Sequence, residues 1–342
     1  EVLISVMKSP KTFTCEDIVE INCHGGIATT NKILELVIRN GARMALPGEF
    51  TKRAFLNGRI DLIEAEGVMD LINSKTEVGR KMAMASLSGK VSNMISDLRR
   101  KMLDIIANIE VNIDYPEYED ILVVTNDMIK DSVTNLKSEL SKILKEALDG
   151  KIIKEGIKTL IIGRPNVGKS SILNRLLDED KAIVTDIEGT TRDIVEGTVS
   201  LDGILLNIID TAGIRQTDNI VEKIGVDKSI SLINEADLII LVLNNNEALN
   251  SDELKNKIKE LFNMDNISNS DLNYLSSANQ IATLKECLKR VEDIEIALEN
   301  DLTVDMLEID IKRIWELLGN LIGESYDEEL LDNLFSKFCL GK

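Results

Sequence analysis

The chain has 342 residues, with 40 Lys plus Arg against 59 Asp plus Glu and a net charge of −19. It is too long for one small module and too acidic to hold a polyanion over its whole surface, so any nucleic acid must meet a local basic patch or a second subunit. With 44% hydrophobic residues it can build real cores, and with 3% aromatics and four prolines it favours helix over an all-β sandwich.

In chain order, Val2-Leu3-Ile4-Ser5-Val6 opens in a strand pattern without an initiating Met, so the start is expected to be missing. Asp17-Ile18-Val19-Glu20-Ile21 alternates as a second strand, Cys23-His24-Gly25-Gly26 reads as a turn, and an amphipathic helix is predicted over about Thr29 to Arg39. Residues 1–48 therefore read as a partial α+β N-terminal domain. From Pro47 the apolar spacing becomes three or four. Met82, Leu87, Val91, Ile95, Leu98, Met102, Ile105 and Ile106 form one stripe. Asn135 to Leu148 forms another, beyond the acidic turn at Tyr115-Pro116-Glu117, so 49–150 reads as the first part of a helical bundle. Residues 151–270 alternate strand, loop, helix and hairpin in α/β fashion. Residues 271–342 return to helix, with Leu284, Leu288, Val291, Ile294 and Leu298 on one face. No run approaches the roughly 18 apolar residues of a membrane span. Cys15, Cys23, Cys287, Cys339 and the single His24 have no metal-site spacing, which reads as a reducing, cytoplasmic setting.

Gly163-Arg164-Pro165-Asn166-Val167-Gly168-Lys169-Ser170 has two glycines five apart followed by Lys and Ser. Such glycines let backbone N–H groups curl around a β-phosphate, Lys169 places a charge on the β and γ oxygens, and the Ser170 hydroxyl suits Mg²⁺. Lys158 to Ile162 supplies the entering strand, and Ser171 to Leu177 the helix whose N-terminus faces the phosphates. Val195 to Val199 and Leu205 to Ile209 flank Asp202-Gly203, a hairpin turn, and deliver Asp210-Thr211-Ala212-Gly213. Asp210 suits a carboxylate behind Mg²⁺, or else a buried cap, and Gly213 suits a backbone contact to the γ-phosphate. Between these motifs, Thr185 to Asp193 contains Gly189-Thr190-Thr191, the pattern of a nucleotide-sensing switch in which one Thr binds Mg²⁺. The predicted fold class is an α/β P-loop GTPase domain inserted into an α-helical bundle domain, preceded by the partial α+β domain.

Ile214 stands where other enzymes of this class place a water-orienting Gln. Glu222 is the candidate catalytic carboxylate, its alternative being an ordinary acidic residue in a first helical turn. No arginine finger is evident. The Asn166 carbonyl and main-chain oxygens of the Thr185 to Thr190 loop could hold a monovalent cation in its place. The guanine-reading Asn-Lys-x-Asp is absent, because Asn256-Lys257-Ile258-Lys259 lacks the Asp and a preceding apolar strand. Ser277-Ala278 imitates a further base-side motif but is expected to open a helix. The α/β segment is short, and the base-reading loops are expected to have been left out of the numbered chain.

Cys23-His24-Gly25-Gly26, the run Pro47-Gly48-Glu49-Phe50-Thr51-Lys52-Arg53-Ala54-Phe55-Leu56-Asn57-Gly58-Arg59, Asn112-Ile113-Asp114-Tyr115-Pro116 and the terminal Phe338-Cys339-Leu340-Gly341-Lys342 resemble, with the nucleotide motifs, the MnmE (TrmE) family of tRNA modification GTPases. The resemblance runs from residue 1 to residue 342. It implies a folate-binding, dimerising N-terminal domain, a helical domain, and an inserted GTPase domain that requires K⁺ and turns GTP into GDP. It further implies a partner, the FAD-dependent MnmG, in a heterotetramer or larger, with FAD on that partner only. Together they would modify carbon 5 of the tRNA wobble uridine with a one-carbon unit from methylene-tetrahydrofolate or a formyl analogue, tRNA being held mainly by the complex and no membrane being involved.

By position, the resemblance implies nucleotide contacts from Asn166, Val167, Gly168, Lys169, Ser170, Ser171, Thr185, Thr190, Thr191, Asp210 and Gly213. K⁺ would be held by Asn166, Thr185, Ile187 and Thr190, and Mg²⁺ by Ser170 and Thr191, with Glu222 catalytic. Glu20 and Arg59 fall at folate positions, although Arg59 equally suits a solvated helix-start residue. Cys339 is either a functional thiol or a buried inert side chain. His24 fits a turn residue better than an acid or base. The competing functions are a non-catalytic GTP-binding assembly protein and, because the base-reading motif is missing, an ATPase.

Overall fold

A computed structural model describes all residues except 115–125, 164–166, 170, 173–174, 177–194, 211–231, 244–250, 263, 265–274, 301, 325–327, 337 and 339–342. The chain forms two compact units, one of residues 1–73, 84–142 and 282–342, the other of residues 74–83 and 143–281.

The first unit opens with strands β1 (Leu3–Met7) and β2 (Ile18–Asn22), antiparallel from Leu3 opposite Asn22 to Met7 opposite Ile18. Helix α1 (Ile27–Arg39) begins two residues before the predicted Thr29, because the Gly26 carbonyl accepts from the Thr29 and Thr30 amides at 2.9 and 3.0 Å. Helices α2 (Glu49–Leu56), α3 (Leu62–Asn73), α4 (Glu77–Leu87), α5 (Lys90–Asp114) and α6 (Asn126–Glu155) come next. The apolar stripe expected from Met82 to Ile106 is thus broken into two helices. Gly89 adopts φ 73°, a left-handed conformation that ends one helix and lets Lys90 start the next. Along α5, Val91, Ile95, Leu98, Met102, Ile106 and Ile109 are buried at the three-four spacing of one face, while Ile105 is half-buried.

The described residues also include helices α7 (Ser251–Leu261), in the second unit, α8 (Ala278–Glu299), α9 (Val304–Ile322) and α10 (Glu328–Ser336). On α8 the buried face is Leu284, Cys287, Val291, Ile294 and Leu298; Cys287 takes the place expected for Leu288, which is half-buried. Helix α9 packs along α5. There Arg99 stacks its guanidinium 4.4 Å over Trp315, donates from Nε to the Trp315 carbonyl at 3.2 Å, and pairs with Glu324 just past the helix end. Phe335 and Phe338 join Phe55, Leu62, Ala65 and Leu331 in one cluster, so α10 is docked on α2 and α3. Gly48, at φ 67°, makes this possible: a Cβ there would stand 2.6 Å from the Phe335 carbonyl and 2.8 Å from Phe338 Cβ.

The second unit is built on a four-stranded sheet of order β4-β5-β3-β6, with β3 (Ile157–Gly163), β4 (Val195–Leu201), β5 (Ile204–Asp210) and β6 (Leu238–Val242). Strand β3 runs parallel to both β5 and β6, and β4 is antiparallel to β5. The hairpin turn is the one expected, Asp202 and Gly203 both having positive φ, 49° and 83°, as a tight primed turn requires. Helix α6 runs through Gly150 to Glu155, beyond the predicted end at Leu148, because burying Ile153 to 2% outweighs the roughly 1 kcal/mol of a helical glycine. Gly156, at φ 78°, then turns the chain into β3. The core combines Ile157 and Ile161 of β3, Ile204, Leu206 and Ile208 of β5, Val242 of β6 and Ile258 of α7.

The P-loop strand and a charged cleft as candidate functional sites

Strand β3 is buried over Ile157, Leu160 and Ile161 and emerges at Gly163, at the carboxyl edge where open parallel sheets bind ligands. Gly163 lies opposite Val242 in the ladder, and a Cβ on it would meet the Val242 carbonyl at 2.5 Å and Val167 Cγ2 at 3.1 Å. The first glycine of the loop is therefore fixed by the close approach of β6. The second, Gly168, has φ 101° with open space around its Cα, and its carbonyl accepts from the Ile172 amide at 3.0 Å, starting the next helical turns. Ile172 and Leu176, four apart, bury one side of that segment in the core. Lys169 Nζ donates to the Gly163 carbonyl at 2.8 Å, spanning the loop from its end to its start.

Asp210 closes β5 directly beside β3, its Cα opposite Ile161, two residues before Gly163. Backbone geometry thus brings Val167, Gly168, Lys169 and Asp210 to one edge of one sheet, with Ser171 exposed on the first helical turn. Asn166, Ser170, Thr185, Ile187, Thr190, Thr191, Gly213 and Glu222, together with Cys339, lie outside the described residues, as does the Asp210 side chain. The near-match Asn256-Lys257-Ile258-Lys259 is helical, lying within α7, and Ser277 is a helix cap: its Oγ accepts from the Gln280 amide at 3.2 Å. Gln280 Oε1 in turn accepts from the Ser276 and Ser277 amides at 2.9 and 3.0 Å.

In the first unit, Glu20 is exposed on β2 opposite Ser5, and Arg59 is exposed just after α2, its amide donating to the Ala54 carbonyl at 2.8 Å. Among the described residues no hydrogen bond or ion pair joins the two. A feature that sequence reading missed lies in the same unit: a 280 Å³ cleft lined by Glu16, Val19, Arg43, Glu49, Phe50 and Arg53 among others. Glu49, the first residue of α2, accepts from both Arg43 Nη atoms at 2.8 and 2.5 Å, from Arg53 Nη2 at 2.7 Å and from the Leu46 amide at 2.8 Å. Hydrogen bonding from Arg43, then from the Leu46 amide and Arg53, holds its carboxyl down at about 2. Arg53 also reaches Glu16 at 3.3 Å. Only the four-residue spacing of Glu49 and Arg53 was visible in the sequence, since Glu16 and Arg43 arrive from other segments.

Two family models cover the chain. The MnmE helical domain matches residues 62–339, and the GTP-binding protein TrmE N-terminus matches residues 1–59. Among curated proteins, the tRNA modification GTPase MnmE of Bacillus licheniformis is 47% identical, that of Staphylococcus epidermidis 46% and that of Staphylococcus aureus 45%. Each alignment spans 394 positions, 100% of this chain and 86% of the relative. This chain supplies 342 of those positions, so 394 minus 342 leaves 52 positions of the aligned stretch without a counterpart in it. With identity at this level along the whole chain, and with a P-loop on the sheet edge where a nucleotide belongs, the chain belongs to the MnmE (TrmE) family of tRNA modification GTPases.

Proposed function

We propose that this chain hydrolyses GTP to GDP in a K⁺-dependent reaction and, with an FAD-dependent partner of the MnmG type, modifies carbon 5 of the tRNA wobble uridine using a folate one-carbon unit. The observation that carries the reading is the loop from Gly163 to Lys169, whose two glycines meet two different backbone demands while Lys169 closes on its own strand end. It is supported by the names of the relatives, each a tRNA modification GTPase.

Backbone N–H groups of the loop and the start of the adjoining helix bind and orient the phosphates, and Lys169 moves from the Gly163 carbonyl onto the β and γ oxygens. Ser170 and Thr191 would hold Mg²⁺, and Asn166, Thr185, Ile187 and Thr190 would hold K⁺. These all-oxygen donor sets suit hard cations. Ions held by these residues would supply positive charge against the phosphoryl oxygens, the part an arginine finger otherwise plays. Glu222 orients the attacking water, a task the hydrocarbon side chain of Ile214 cannot perform. Glu20 and Arg59 are assigned to the folate, and dimerisation to the N-terminal segment. Acidic overall, the chain leaves most of the grip on tRNA to its partner.

The test is a pair of variants in the full chain. Lys169→Ala removes a charge that interacts with a phosphate at about 4 kcal/mol in a partly screened site, so binding of a fluorescent GTP analogue should fall at least about 100-fold. Glu222→Ala should keep that binding and lower kcat by about 100-fold or more. Lys169→Ala that binds like wild type, or Glu222→Ala that turns over normally, contradicts the proposal.

A further inference from the structure

We infer that Asn57 is a positioning residue for the folate side of the reaction: by donating to the Thr14 carbonyl it holds the hairpin that carries Glu20 in register with the turn that carries Arg59. The inference rests on the assignment of Glu20 and Arg59 to the folate made above, and names the residue that brings the two into one frame.

Arg59 is placed by the way α2 ends. Asn57 caps the helix, its amide donating to the Arg53 carbonyl at 2.9 Å, and Gly58 follows at φ 68°. The Gly58 amide then donates to the Phe55 carbonyl at 2.9 Å and the Arg59 amide to the Ala54 carbonyl at 2.8 Å, the paired bonds of a Schellman ending. These bonds fix the Arg59 backbone on a helix anchored by Thr51, Ala54 and Phe55, all buried. The side chain of Asn57 takes no part in them and reaches away from the helix.

Glu20 stands on the β1–β2 hairpin, which packing alone holds poorly. A two-stranded hairpin is marginal by itself in water, and Leu3, Ile4, Val6, Val19 and Ile21 are 38–69% exposed. The hairpin is instead tied down through the residues that connect its strands, where Thr12 and Thr14 are buried. At the base of this connection Asp17 accepts from Lys8 Nζ at 2.8 Å and from the Ser9 amide at 2.9 Å. Further along, Thr12 Oγ1 donates to the Glu16 carbonyl at 2.6 Å, and the Cys15 amide to the Thr12 carbonyl at 3.3 Å, with Cys15 at φ 58°. The loop is thus closed on itself. The Thr14 carbonyl takes its donor from outside, Asn57 Nδ2 at 2.7 Å, 43 residues away.

A second link joins the same two segments, Arg53 to Glu16 at 3.3 Å, but these side chains are 46% and 43% exposed and Arg53 is shared with Glu49. Exposed pairs of this kind add little. A carbonyl on a buried residue that loses its donor, by contrast, is left unsatisfied, so the Asn57 bond is the link that decides the geometry. Asn57 lies two residues before Arg59, and Thr14 six before Glu20. Loss of this one bond therefore moves two groups assigned to one ligand relative to each other, and a misplacement of about 1 Å can cost on the order of 100-fold.

The experiment is calorimetric titration of 5-formyltetrahydrofolate into the full chain, comparing wild type with Asn57→Asp, Asn57→Gln, Glu20→Gln, Arg59→Ala and the Glu20→Gln/Asn57→Asp pair. Asp keeps the shape of Asn without its N–H, and Gln keeps the donor. Asn57→Asp is expected to lower affinity about tenfold and Asn57→Gln to stay within about threefold of wild type. In the Glu20→Gln background, Asn57→Asp should cost less than about threefold, because the position of Glu20 no longer matters once its carboxylate is gone. A loss of affinity that is the same in both backgrounds, as a merely structural role would give, overturns the inference and leaves the folate assignment intact. So does an Asn57→Asp variant that binds within about threefold of wild type. No binding by the wild-type chain, or unchanged binding in both Glu20→Gln and Arg59→Ala, overturns the folate assignment and the inference with it.

Discussion

Replacing Gly163 with Ala tests the contact that shapes the candidate site. The new Cβ would lie 2.5 Å from the Val242 carbonyl, where ordinary contact needs about 3.4 Å, so the ends of β3 and β6 must part by about 0.9 Å. That separation weakens one ladder hydrogen bond, at about 1 kcal/mol, and adds an overpacking cost of about 1–3 kcal/mol. A total near 2–4 kcal/mol corresponds to a Tm lower by about 5–12 °C for a unit of this size. The same shift moves the first glycine of the loop relative to Lys169, so affinity for a fluorescent GTP analogue should fall at least about tenfold. Scanning fluorimetry and a binding titration read both effects. A variant that melts within about 1 °C of wild type and binds nucleotide equally well would refute the close approach of β6 as the reason for glycine.

Glu49→Gln tests the charged cleft. Because the Glu49 carboxyl is held at about 2 against an ordinary 4.5, its contribution is complete above about pH 4.5 and is lost as the pH falls toward 2. The upper bound is about 3 kcal/mol, and solvent around Arg43, 63% exposed, brings it to about 1–2 kcal/mol. Urea unfolding across this range should show the gap between wild type and variant closing with acid, and a gap that does not change with pH contradicts the pairing. Gly48→Ala drives a Cβ into the Phe335 carbonyl from a left-handed backbone, at about 2–4 kcal/mol, and should expose 328–342 to limited proteolysis; unchanged cleavage counts against the docking of α10. Burial pushes the Cys287 thiol up to about 12, so in the native protein iodoacetamide at pH 8 should label Cys15 and Cys23 but label Cys287 only after denaturation. Equal native labelling of all three would contradict its burial.

Local chemistry made parts of the structure readable before any coordinates. The Asp202-Gly203 turn, the strand into Gly163 and the helical start at Gly168 each depend on residues a few positions apart. Ser277-Ala278 was expected to open a helix and does so, whereas the helix over Asn256 to Lys259 and the cap that Ser277 makes with Gln280 were not read in advance. Other features were set by distant partners. Cys287 rather than Leu288 faces the core because packing of α8 selects the face, and the extension of α6 through Gly150 depends on the burial of Ile153. The Glu16, Arg43, Glu49 and Arg53 cluster joins residues up to 37 apart, which no periodicity reveals. The break at Gly89 was hidden because apolar residues on both sides keep helical spacing, and only the positive φ there separates α4 from α5.

The most direct test of the central claim is the GTP turnover rate of the full chain with K⁺ or Na⁺ as the sole monovalent cation. Turnover at least about tenfold faster in K⁺ is the predicted result, since the proposal gives an alkali cation the charge that an arginine finger supplies elsewhere. Equal turnover in the two salts, or none in either with nucleotide bound, would contradict it.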